Sequence, residues 1–203
     1  MRIQAWCSRL TVMSPEDASH PSNPSLAIAY LKTAVTDDLG NAFKPAFDES
    51  PVLRDLGNGL LVTYVVDQGD HFHFVQQRHL RESGLSEAAL HQQAVENLAN
   101  FCRANLQVRK HSQILAFLCG GNFEASLLLV DDLWDKRIAH AIEAPYVAAI
   151  PARDILAVCS ATSRDGIREL QELVARIIPG GDHPLTRSLY TRERGTWRPY
   201  EPR

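Results

Sequence analysis

From residue 60 onward, the apolar β-branched runs of this chain come in pairs, each pair joined by a few turn-forming residues. Residues 60–66 are followed, across Asp67-Gln-Gly-Asp70, by residues 72–75. Two such runs joined by a short glycine-bearing turn predict a β-hairpin. Residues 146–150 and 155–159 repeat the arrangement around Pro151-Ala-Arg-Asp154. Residues 188–191 and 196–200 flank Gly195 as a short terminal hairpin, and residues 114–119 form one further strand closed by Gly120-Gly121. Strands that arrive as hairpins, without strict alternation with helices, predict a mostly antiparallel sheet covered by helices, an α+β fold.

Helical spacing fills the intervals. Ser86 can cap a helix with Leu90, Ala94, Leu98 and Phe101 on one face. A second helix is expected over residues 123–142, with Leu127, Val130, Trp134, Ile138 and Ala141 as its buried stripe. Ser163 caps a third, in which Ile167, Leu170, Val174 and Ile177 line one side. The expected order from residue 60 is ββ-α-β-α-ββ-α-ββ. Ahead of it, residues 14–25 hold three prolines and four serines and read as a linker. Asn23-Pro24 is a good helix start, so a helix is expected along residues 26–35, ending at Gly40. Residues 41–59 look irregular, with Gly57-Asn58-Gly59 forming a turn. The division expected is an N-terminal extension, 1–59, and an α+β domain, 60–203.

Composition narrows the function classes. A chain of 203 residues can bury about 70% of its unfolded surface, so it builds a core without a metal or disulfide staple. The formal net charge of −3 argues against non-specific nucleic-acid binding. No run approaches the ~18 apolar residues of a membrane span. The first thirteen residues include Arg2, Gln4, Ser8 and Arg9 and lack a signal-peptide core. Cys7, Cys102, Cys119 and Cys159 are far apart, without the spacing of a zinc site or redox motif, and are expected as reduced thiols of a cytoplasmic protein.

Four short motifs then occur in a telling order: Tyr64-Val-Val-Asp67-Gln-Gly69, Ala94-Val-Glu-Asn97-Leu98, Glu124-Ala125-Ser126 and Ile150-Pro-Ala-Arg-Asp154-Ile-Leu156. Over about residues 60–200 the chain resembles the bacterial YtpQ-like proteins, a domain of unknown function. Residues 1–59 do not match the longer N-terminal region of larger members. The resemblance implies a cytosolic bacterial protein and carries over no catalytic residue.

The candidate chemistry is a polar set: Asp67, Asp70, His71, His73, Asn97 and Asp154. His71 and His73 share one face of a strand and could contribute to a metal site, although no third ligand is named by spacing. The aspartates also suit turn duty, because their side chains accept backbone N–H groups two residues on. Asn97 falls on the apolar stripe of its helix, where a buried amide must find partners. Gly120-Gly121-Asn122 and Ser126 open a helix in this reading, where free N–H groups could hold an anion. Asp131, Asp132 and Asp135 read as a solvated face, and the arginine- and aromatic-bearing tail from Arg187 reads as a charged edge hairpin. These features favour a non-enzymatic binding or regulatory module with an unidentified protein or small-molecule partner, a homodimer included. They call for no cofactor and no metal. The alternative is a small-molecule hydrolase in which the six polar residues converge on one pocket.

Overall fold

β3 (Leu60–Asp67) is the strand around which the first half of the molecule is assembled; its run of branched side chains is buried from Val62 to Val66, Thr63 included. The computed structural model describes residues 23–33, 46–180 and 183–202, so the expected linker lies outside the described residues over 14–22. β3 pairs on one side with β1 (Ile28–Thr33), Ile28 opposite Val65 and Thr33 opposite Leu60. Its other side takes β2 (Leu53–Asp55) and then β4 (Phe72–Phe74), giving a four-stranded antiparallel sheet.

β1 corrects the expected N-terminal helix. Asn23 does cap, accepting the Ser25 N–H at 3.0 Å, but the helical turn it starts stops at Leu26. Residues 28–33 then extend, because Ile28, Tyr30 and Thr33 favour a pleated strand and β3 offers a full ladder of partners. The described part of the segment expected as an extension thus supplies two neighbours of β3. Residues 46–59, expected as irregular, hold one short turn (Phe47–Glu49) and β2. Gly57-Asn58-Gly59 forms the β2–β3 turn as expected, with Asp55 Oδ1 accepting the Gly57 N–H at 2.7 Å.

A short helix unforeseen in the sequence, α1 (Gln77–Ser83), follows β4 and ends at Gly84 with φ 69°. α2 (Glu87–Asn105) begins where expected, with Ser86 accepting the Ala89 N–H, and buries Leu90, Ala94, Leu98 and Cys102. It lies against β1.

The second sheet has six antiparallel strands in the order β10-β9-β7-β8-β6-β5. β6 (Ile114–Leu118) matches the expected strand; its hairpin partner β5 (Gln107–His111) is new, since every one of its residues is exposed and Val108 alone makes no apolar alternation. β7 (Tyr146–Ala149) and β8 (Leu156–Ser160) form the expected hairpin and are buried on both faces, hence their unbroken apolar runs. β9 (Leu189–Glu193) and β10 (Thr196–Pro199) form the terminal hairpin, turning at Arg194 and Gly195, both at positive φ. Tyr146, Ala148, Ile150, Leu156 and Val158 face the main core with β3 and α2; Val147, Ala149, Ala157 and Cys159 face the third helix.

The helix expected over 123–142 is corrected. The segment breaks at Val130 into a tight 3-10 stretch, Ala125–Leu129, and a short irregular helix that is wound wide over Leu133–Arg137 and tight over Ile138–His140. Ala125, Ser126, Leu127 and Leu128 are all buried, and a single amphipathic helix cannot bury four consecutive residues against one surface. Trp134 fills the middle of the core and gives its indole N–H to Leu127 O at 2.9 Å.

α3 (Arg164–Ile177), capped by Ser163, packs on β7 and β8 through Leu170 and Val174. It approaches closely at Gly166, where an added Cβ would stand 2.7 Å from Cys159 Cβ and 2.9 Å from Ser163 Oγ. Alanine is the better helix former by about 1 kcal/mol, yet Gly166→Ala is expected to destabilise by about 1–3 kcal/mol through overpacking. Urea unfolding measures it; an unchanged or higher midpoint would show that α3 is free to move off the sheet.

Candidate functional site

The structure gathers part of the polar set and disperses the rest. In the β3–β4 turn, Asp67 Oδ1 accepts the Gly69 N–H at 2.8 Å, and Gly69 sits at φ 92°. Asp67 is a turn residue. Asp70 and His71 pair in solvent at 2.6 Å, a hydrogen bond that holds the Asp70 carboxyl below its ordinary range. The His71 and His73 rings lie 4.6 Å apart, as their alternating spacing requires. Among the described residues no group of three or more His, Cys, Asp or Glu is gathered to hold a metal ion.

Asn97 is occupied elsewhere. Its Nδ2 donates to Ser25 O at 2.9 Å and Ala27 O at 2.8 Å, while its Oδ1 accepts from Gln93 at 3.1 Å. It ties α2 to the chain entering β1, and not to an aspartate turn. Asp154 is exposed in the β7–β8 turn. It lies within electrostatic reach of the Tyr30 phenol, whose pKa is raised chiefly by burial.

The amides around Gly120–Phe123, which could hold an anion, are taken up by the chain's own carboxylate. Glu124 is buried; Oε1 accepts the N–H groups of Cys119 at 2.7 Å and Gly121 at 2.8 Å, and Oε2 that of Phe123 at 3.1 Å. Ser126, also buried, accepts the Leu31 N–H at 2.9 Å and so closes the outer edge of β1. Both side chains are engaged by backbone amides. The acidic group at 131–135 is likewise engaged: Arg192 of β9, itself nearly covered, bridges Asp131 and Asp135, while Lys136 pairs with Asp132. One of the tail arginines is thereby neutralised inside the fold.

The arrangement that sequence reasoning missed lies between the β2–β3 edge and α2. A depression of about 350 Å³ is lined by Val52, Leu53, Arg54, Tyr64, Glu87 and Ala88. Tyr64 Oη meets His91 Nδ1 at 3.1 Å. Burial pushes the Tyr64 phenol up to about 12, with smaller opposing influences from Arg54 and Glu87. Burial, and next the Arg54 guanidinium, hold the His91 imidazole below its ordinary value. Both groups are therefore neutral near pH 7, and the hydrogen bond between them is one of neutral partners. Arg54 is exposed and, among the described residues, makes no ion pair or side-chain hydrogen bond. A second depression of about 260 Å³, on the opposite flank of α2, is lined by Ser25, Leu85, Ala89, Gln92, Gln93 and Glu96. Neither is lined by any of the six residues singled out in the sequence. No signal in the sequence joins Arg54 to His91, since the fold alone brings a three-residue strand beside α2.

Comparison of the chain with protein-family models, with curated proteins and with solved structures found no match. Among the described residues no helix is long and apolar enough to cross a membrane.

The Tyr64–His91 pair makes a pH prediction. In the unfolded chain His91 titrates near its ordinary pKa of about 6.5; in the folded chain it titrates lower. Its contribution to stability is therefore complete above about pH 6.5 and is lost as pH falls through the folded value, because the unfolded state takes up a proton first. His79, also held low chiefly by burial, adds a contribution of the same sign. The melting temperature should fall between about pH 7.5 and about pH 5.5, and His91→Gln, which keeps an acceptor for Tyr64, should flatten that fall in part. An unaltered slope in the variant would show that His91 is protonated equally in both states.

Proposed function

We propose that this chain is a non-enzymatic binding module that takes a small carboxylate-bearing ligand in the depression over Tyr64. The observation that carries the reading is the juxtaposition of Arg54, a guanidinium without an ion pair among the described residues, with the Tyr64–His91 pair on a partly apolar surface. The guanidinium supplies a cationic donor for a carboxylate, and Val52, Leu53 and Ala88 supply contact area for an apolar body. A phenol raised by burial is a poor nucleophile and a neutral imidazole already engaged by it is a poor free base, so the pair recognises better than it reacts. In the same reading the chain is a cytoplasmic, YtpQ-like bacterial protein. The support is the order of its four motifs and its widely spaced cysteines.

The hydrolase reading asks Asp67, Asp70, His71, His73, Asn97 and Asp154 to surround one cavity. Asp67 and Asn97 are consumed by backbone ties, and none of the six lines either depression. That weighs for recognition over catalysis.

Benzoate is a suitable probe, having one carboxylate and one apolar ring. Titrated into isotope-labelled protein, it should shift the amide resonances of residues 52–54, 64 and 87–91. Arg54→Ala should weaken the response about tenfold, the loss expected of one charged hydrogen bond. Absence of any shift at millimolar benzoate, or shifts centred on residues 67–73, would overturn the assignment.

A further inference from the structure

Two periodicities meet over Tyr64. Arg54 stands opposite Val62 in the β2–β3 ladder, and Val62 and Tyr64 alternate on β3, so Arg54 and Tyr64 share one face of the sheet. Glu87 and His91 are one helical turn apart on α2 and share one face of the helix. The hydrogen bond between Tyr64 Oη and His91 Nδ1, at 3.1 Å, joins those two faces. Arg54 is thereby set on the strand side and Glu87 on the helix side of one depression, which the buried Val52 and Tyr64 also line.

The two charges do not cancel one another. Among the described residues, neither the Arg54 guanidinium nor the Glu87 carboxylate makes an ion pair, and Glu87 accepts only a long hydrogen bond, from Gln77 Nε2 at 3.5 Å. By contrast, Arg81 reaches Asp48 and Lys136 reaches Asp132. A ligand that brings a carboxylate alone meets Arg54 and also the like charge of Glu87. A ligand with an ammonium beside its carboxylate meets an opposite charge on each side. Both protein side chains are exposed, so each contact has the strength of a solvent-screened ion pair.

We propose that the depression over Tyr64 selects a zwitterion, a free α-amino acid with an apolar side chain. The proposal rests on the carboxylate reading given above and adds the second charge to it. The ligand carboxylate pairs with Arg54, its α-ammonium pairs with Glu87, and its side chain lies against Val52 and Ala88. An α-amino acid carries both charges on one carbon and leaves its side chain free for the apolar contact. The volume of about 350 Å³ is at the lower end of the range for ligand pockets, which suits a molecule of this size.

The test titrates the full isotope-labelled chain with three molecules that share a phenyl ring: L-phenylalanine with both charges, 3-phenylpropionate with the carboxylate alone, and 2-phenylethylamine with the ammonium alone. L-Phenylalanine should shift the amide resonances of residues 52–54, 64 and 87–91, with a Kd about fivefold below that of either analogue, the upper end for an exposed ion pair. Glu87→Gln should erase its advantage over 3-phenylpropionate and tighten 3-phenylpropionate itself, because the opposing charge is gone. The proposal falls if L-phenylalanine binds no more tightly than either analogue, or if its advantage survives Glu87→Gln. In both cases the carboxylate reading stands as long as 3-phenylpropionate still binds at these residues. If neither L-phenylalanine nor 3-phenylpropionate shifts them, both readings fall together. The three ligands are compared first in the unaltered protein, so the test stands even where the glutamine variant fails to fold.

Discussion

Three consecutive residues, Glu124, Ala125 and Ser126, hold the two sheets in one body. The Glu124 carboxylate gathers the amides of Cys119, Gly121 and Phe123 at the end of β6. The Ala125 N–H donates to Arg153 O in the β7–β8 turn at 3.0 Å, and the Ser126 hydroxyl takes the Leu31 N–H of β1. Elements from both sheets thus meet on a stretch of chain shorter than one helical turn. All but Gly121 belong to buried residues, and a buried donor left without a partner costs about 1–3 kcal/mol. The segment cannot be loosened at one bond without exposing the others.

The rest of the interior follows from that clasp. With Ser126 fixed on β1, Leu127 and Leu128 enter the core between the sheets, and their carbonyls meet the indole N–H groups of Trp134 and Trp197. The two indoles pack edge to face at 4.9 Å, joining the terminal hairpin to the centre. Asn58 adds a second tie between the sheets, its amide donating to Trp197 O at 2.9 Å. Polar side chains inside this protein thus work mainly as backbone partners.

Where local signals agree with tertiary demand, the sequence is legible. Ser86 and Ser163 cap the helices they are expected to cap, and the hairpins at 60–75, 146–159 and 189–199 form where paired runs and turns place them. β1 reads wrongly as a helix because a sound N-cap and Pro24 begin only one turn before pairing with β3 takes over. β5 is invisible because an exposed edge strand needs no apolar residue, and α1 lacks a Ser, Thr, Asp or Asn at its start. Among the polar residues, Asp67 and Asn97 are legible as structural ties, whereas Arg54, Tyr64 and His91 are not legible as a site. They share no sequence spacing, and only the pairing of β2 with β3 beside α2 brings them together.

The central claim is that the clasp at Glu124–Ser126 belongs to the global folding unit. Native-state amide hydrogen exchange at Leu31, Cys119, Gly121, Phe123 and Ala125 tests it directly. If the clasp unites the two sheets, these five amides exchange only on global unfolding, with one common free energy equal to that from urea denaturation. If they exchange early, or if Leu31 and Cys119 report two different opening energies, the sheets are held together by something else.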